Sequence, residues 1–146
     1  MKWRFVVVGK PSLEYAKAGV EEYLRRLRRY TSVELVIVKN GSREEEGSRL
    51  ISASEGCYRL VFDERGELFN TRDLAKSVTE LEMDGRVKSV AVMIGGAEGH
   101  GDELRGLADK MISFGRLTLQ HELALVAATE QIYRVYSVNR GEPYHR

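Results

Sequence analysis

Residues 89–101 read Ser89-Val-Ala-Val-Met-Ile94 and then Gly95-Gly96-Ala97-Glu98-Gly99-His100-Gly101. The first half is an unbroken apolar run rich in β-branched residues, which predicts a strand covered on both faces and therefore a parallel sheet. The second half is a glycine cluster, in which main-chain N–H and C=O groups can approach a ligand with no side chain in the way. A tight turn is the competing explanation of a Gly-Gly pair. Ligands of parallel α/β sheets sit at the carboxyl ends of the strands, where this loop falls. Known phosphate motifs are excluded: Gly96, Gly99 and Gly101 read G-x-x-G-x-G, which is not the dinucleotide fingerprint, and Asp102 stands where a P-loop needs lysine.

Downstream, a short helical segment leads to a strand-like piece from Arg116 to Leu119 that breaks at Thr118-Leu119-Gln120-His121. A helix then runs from His121 to about Val138. Its apolar stretch, Leu123 to Ala128, has no polar face for almost two turns and predicts burial against more than one surface, the second supplied by a homodimer.

Upstream, Trp3–Val8 and Val33–Val38 read as strands, and a helix with Ser12 as N-cap places Ala16, Val20, Leu24 and Leu27 on one face. The polar run from Lys39 to Gly47 predicts a mobile surface loop, followed by a short helix from Ser48 to Glu55. Tyr58–Phe62 reads as a strand, Asp63–Gly66 as a turn, Thr71 as the cap of a helix to Met83, and Val87–Ile94 as the central strand. Strands alternating with helices predict one parallel α/β domain over residues 1–146.

The 23 Lys and Arg nearly balance the 22 Asp and Glu, so net charge does not point to nucleic acid. The single cysteine, Cys57, cannot form an internal disulfide, which fits a reducing cytoplasm. No stretch approaches the ~20 apolar residues of a membrane span. The three histidines lack partners at ligand spacing, so no metal is expected. With no nucleophile elbow either, what remains is a cofactor held largely by backbone, with Arg134, Tyr144, His145 and Arg146 as polar reach.

Ile94-Gly95-Gly96-Ala97-Glu98-Gly99, Leu117-Thr118-Leu119-x-His121, Glu130-Gln131-x-Tyr133-Arg134 and Pro143-Tyr144-His145-Arg146 occur in that order. Together with Glu22-Tyr23-Leu24-Arg25-Arg26 and Asp63-x-x-Gly66, they resemble the RlmH family. Its members are SPOUT-class enzymes that methylate N3 of a pseudouridine in large-subunit ribosomal RNA with S-adenosylmethionine.

The resemblance implies a parallel α/β sheet with a C-terminal trefoil knot that holds the cofactor, an exception to the rule against knots. It places the cofactor against Phe62, Gly95, Gly96 and the loop Gly115-Arg116-Leu117-Thr118-Leu119-Gln120. It also implies a cytoplasmic homodimer acting on the ribosome or its large subunit, in which the tail of one subunit completes the other's site. Arg134 and Arg146 would supply positive charge, Tyr144 would stack on or bond the base, and His145 would accept a proton. Three positions depart from the family pattern: Gln120 replaces a proline, Gly115 a serine and Leu125 an arginine. The first is expected to loosen the cofactor loop, and the last places Leu125 near a dimer or RNA surface. Two other readings compete: a knotted ribosome-binding protein without activity, and a small-molecule enzyme whose Asp63 binds a ribose.

Overall fold

The computed structural model describes residues 1–145. The strands are β1 (Lys2–Val8), β2 (Ser32–Val38), β3 (Tyr58–Leu68), β4 (Ser89–Ile94) and β5 (Lys110–Ser113). All pair in parallel, in the order β2-β1-β4-β3-β5. The apolar run of β4 lies between β1 and β3 and is buried from Val90 to Ile94, as its composition predicts. The helices are α1 (Glu14–Leu27), α2 (Arg43–Ala53), α3 (Thr71–Met83), α4 (Asp102–Leu107) and α5 (His121–Asn139).

One face of the sheet is covered by α1, α3 and α5 around Trp3, Phe5, Leu27, Val92 and Ile132, the other by α2 and α4 around Val6, Leu50, Met93 and Leu104. Within the chain this packing buries Leu125 and Ala128 of the apolar stretch of α5 and leaves Leu123 exposed and Ala124, Val126 and Ala127 half-buried. At the α1–α5 crossing a Cβ on Gly19 would lie 3.0 Å from a Val126 methyl, so glycine permits the close approach. Deeper in, the Trp3 indole donates to the Tyr136 hydroxyl at 2.8 Å, which satisfies a buried N–H.

Several boundaries differ from those expected. Ser12 does not cap α1: its N–H and hydroxyl both donate to Glu122 of α5, and the N-cap is Leu13. Residues 43–47 are the first turn of α2 rather than a loop, because Ser42 and Glu45 form a reciprocal capping box. Asn70, not Thr71, caps α3. The strand expected at Arg116–Leu119 lies earlier, at Lys110–Ser113, and residues 116–119 are loop.

β3 continues past Phe62, with Asp63–Gly66 bulging out of register before Glu67 again pairs with Ile112. At the bulge a Cβ on Gly66 would stand 2.6 Å from the backbone of Ile112, so only glycine fits this crossing.

Candidate functional site

The carboxyl ends of β3, β4 and β5 open into a cavity of about 500 Å³, within the usual range for a small-molecule site. Its walls include Phe62, Asp63, Gly95, Gly96, His100, Arg105, Phe114, Gly115, Leu117, Thr118, Leu119, Gln120 and His121. Every cofactor residue expected from the sequence is there except Arg116.

The glycines also serve packing. A Cβ on Gly95 would approach the Gly99 backbone at 3.0 Å, so glycine lets the loop close on itself, while one on Gly96 would press on the Glu46 and Val8 side chains at 3.1 and 3.3 Å. Gly115 has φ +136° with open space around it, and at that position glycine leaves backbone bare toward the cavity. Gln120 tightens the segment after it, since its side-chain oxygen accepts the N–H groups of Glu122 and Leu123 at 2.9 and 3.0 Å and caps α5.

Glu122 in turn accepts the Ser12 and Leu13 N–H groups at 2.7 and 3.0 Å, tying the starts of α1 and α5 together beside the cavity. Burial pushes its pKa up, but these hydrogen bonds outweigh burial and hold it below the usual value.

Asp63 is paired with Arg105 at 2.9 Å and accepts the Arg65 N–H at 2.9 Å. Burial raises its pKa, and the Arg65 N–H and the guanidinium more than reverse that, so it stays ionised. Each carboxylate oxygen thus has one partner within the chain, and Asp63 also lines the cavity. Two aromatic rings missed as a pair, Phe62 and Phe114, stack at 4.4 Å and form a wall shared with an adjoining cavity of about 420 Å³ that reaches Glu130 and Gln131.

The second cluster lies further along α5. Arg134 pairs with Glu130 and approaches His145 Nδ1 at 3.2 Å, while the Tyr144 hydroxyl donates to Glu130 at 3.0 Å. The Tyr144 ring packs under the Arg134 guanidinium at 4.6 Å and edge-on to Tyr133 at 4.8 Å. The tail is thus bound to the helix; Arg146 lies outside the described residues.

A guanidinium has only donors, so His145 Nδ1 must accept, which places the neutral ring's proton on Nε2. The hydrogen bond to Glu130 keeps Arg134 charged. Burial, then the Tyr23 and Glu130 contacts, raise the Tyr144 phenol well above its usual range, so it remains a neutral donor. Leu125, expected near an RNA or dimer surface, is 2% exposed in the core.

At about 1.5 Å rise per residue, Arg134 lies about 20 Å along α5 from His121 at the cavity. The structure thus places the cofactor set, apart from Arg116, at the cavity and gathers Arg134, Tyr144 and His145 in a second place.

The class of protein follows from this fold and cavity. The family described as Predicted SPOUT methyltransferase matches residues 1–145. Among solved structures, the chain is similar to a probable methylase family protein from Haemophilus influenzae Rd KW20, with TM-score 0.62 and 12% identity over 99% of this chain and 70% of that one, a likeness of fold. Among curated relatives it is similar to "Ribosomal RNA large subunit methyltransferase H" of Thermus thermophilus, 45% identical over 100% of this chain and 99% of the relative. The relative of that name from Deinococcus deserti is 38% identical over the full length of both. The chain belongs to the SPOUT methyltransferase family, within the group of ribosomal RNA large subunit methyltransferase H. It is a methyltransferase, and its methyl donor is S-adenosylmethionine.

Proposed function

We propose that the protein methylates N3 of a pseudouridine in large-subunit ribosomal RNA, working in the cytoplasm as a homodimer with the cofactor in the cavity at the ends of β3, β4 and β5. The RNA target rests on the names of the relatives. A fit to the cofactor is supported by the cavity's size, its apolar walls at Phe62, Leu117 and Leu119, and the bare backbone at Gly115. A C-terminal trefoil knot is inferred from the resemblance.

The observation that carries the reading is that Arg134, Tyr144 and His145 are gathered around Glu130 into one polar cluster further along α5 than the donor cavity, which it meets only through the adjoining space that reaches Glu130. In the proposed homodimer this cluster serves the cavity of a second copy of the chain. Exposed apolar side chains at the start of α1 and around the cavity mouth, Leu13, Tyr15, Leu117 and Leu123, supply apolar surface for that contact.

When bound, S-adenosylmethionine supplies an electrophilic methyl group. The chain's own work is alignment and charge. Phe62 and Leu119 help keep water from the donor, and in the proposed homodimer the partner covers the exposed Leu117. N3 of the uracil ring becomes nucleophilic once its proton has passed to solvent, and the partner's tail stabilises the resulting imide anion. His145, with Nδ1 taken by Arg134 and the ring proton on Nε2, has no nitrogen open to accept that proton. Arg134, and Arg146 at the end of the chain, provide positive charge; His145 offers Nε2–H to a carbonyl oxygen beside N3; Tyr144 braces Arg134 through Glu130.

The inactive ribosome-binding alternative loses its two motives, since Gln120 caps a helix and Leu125 is a core residue. The test is incubation of ribosomes and isolated large subunits with radiolabelled S-adenosylmethionine, followed by mapping of the labelled base. Label at N3 of one pseudouridine is expected. Label on another base, or none, removes the proposal.

A further inference from the structure

We propose that His100 is a nucleoside-recognition residue, its bare ring nitrogen accepting a hydrogen bond from the adenine amino group of the cofactor. The inference rests on the cofactor cavity described above. His100 follows the glycine loop after β4, lines the cavity, and is 3% exposed. Neither of its ring nitrogens has a hydrogen-bond partner among the described residues. Buried polar side chains are nearly always satisfied, so this ring is built for a partner that the chain alone does not supply.

The groups facing the ring restrict what that partner is. From β3 and α4 come Asp63 and Arg105, already neutralising one another at 2.9 Å. The carbonyls of Met93, near the end of β4, and Phe62, just before the β3 bulge, lie near enough to bias the ring without reaching hydrogen-bond geometry. Burial lowers the imidazole pKa, Asp63 and the two carbonyls oppose it, Arg105 adds to it, and the net position is below the usual 6.5. The ring is therefore neutral at pH 7, with one N–H and one bare nitrogen.

Both nearby carbonyls are acceptors, so the N–H turns toward them. The bare nitrogen then requires a donor from the cavity. The cofactor's donors are the adenine amino group, the ribose hydroxyls and the α-ammonium. A charged ammonium finds Glu64 and Glu98, which also line the cavity, whereas a dry imidazole beside a closed ion pair suits an uncharged donor. Of the uncharged donors, the amino group belongs to the planar ring that the apolar walls can bury.

The test is calorimetry of S-adenosylhomocysteine and S-inosylhomocysteine, in which a keto group replaces the amino group, with the unsubstituted protein, His100→Leu and His100→Gln. Thermal melting checks that each variant is folded. His100→Leu should bind S-adenosylhomocysteine about five- to thirtyfold more weakly, the cost of leaving one polar group unpaired. It should also bind both ligands alike, while the unsubstituted protein prefers the adenosyl form and His100→Gln, which retains an acceptor, keeps part of that preference. Unchanged affinity in a folded His100→Leu overturns the inference, as does weaker binding with the adenosyl preference intact, which would point to a ribose hydroxyl. Failure of the unsubstituted protein to bind S-adenosylhomocysteine would instead overturn the cofactor reading itself.

Discussion

The two ends of α5 are built by opposite means. Near His121 the surroundings are backbone and small or apolar residues: Gly95, Gly96, Gly115, Leu117 and Leu119, with the nearby carboxylates of Asp63 and Glu122 already paired. Around Arg134 the construction is all side chain, with Glu130, Tyr144, His145, Tyr133 and Tyr23 tied by ion pairs, hydrogen bonds and ring contacts. The first region suits a ligand recognised by shape and main chain, the second a reaction that needs charge placed beside a base.

The comparison breaks most completely at Gly66. A methyl group there would stand 2.6 Å from the Ile112 backbone, and backbone cannot give way as a flexible side chain does. Gly66→Ala is expected to cost about 3 kcal/mol or more and to disorder the cavity, as read by urea denaturation and loss of S-adenosylhomocysteine binding. A variant of unchanged stability would remove the crossing from the account.

Next in size is removal of Tyr144 to Arg146. Cofactor affinity by calorimetry should stay within about twofold, while turnover on saturating ribosomal substrate falls by about 10² to 10⁴. Equal losses in both would merge the two regions into one.

A smaller effect sharpens the cavity end. Glu122→Gln keeps the shape but exchanges a charged acceptor for a neutral one at the N–H groups of Ser12 and Leu13, and should cost about 1.5 to 3 kcal/mol. The sign with pH follows from its lowered pKa. The carboxylate's contribution is fully present above the ordinary value of 4.5 and is lost as pH falls through the folded value below it. The stability gap between the protein and Glu122→Gln should therefore be constant from pH 7 to pH 5 and narrow below that, in denaturant titrations at each pH.

Much of the architecture was legible because it depends on period and sign. The apolar run of β4, the alternation of strands and helices, and the glycine loop at a strand's end all announce themselves locally. The capping box at Ser42 and Glu45 was equally legible and was hidden only by the polarity of its surroundings. Other features depend on partners far away in sequence. Ser12 has the right chemistry for an N-cap, but Glu122 competes for it from the other end of the chain. The stretch Arg116–Leu119 has strand-like residues, yet β3 pairs instead with Lys110–Ser113.

In the site, every expected cofactor position except Arg116 reached the cavity, while His100 and Phe114 were passed over, since nothing in their neighbours marks a ring that folding will bury or stack. The apolar stretch of α5 foretold burial only in part: α1 and α3 cover Leu125 and Ala128, while Leu123 stays exposed and Ala124, Val126 and Ala127 half-buried, surface that a second copy of the chain could cover.

The central claim is that one chain's tail acts at another chain's cavity. Two defective subunits test it: one lacking Tyr144 to Arg146, and one carrying Gly115→Val, which places a branched side chain at φ +136° in the cofactor loop. Each alone should be inactive. Heterodimers isolated with two affinity tags should regain up to one working site, because the intact cavity and the intact tail then meet across the interface. Proven heterodimers with no recovered methylation would contradict the account and leave each tail acting within its own chain.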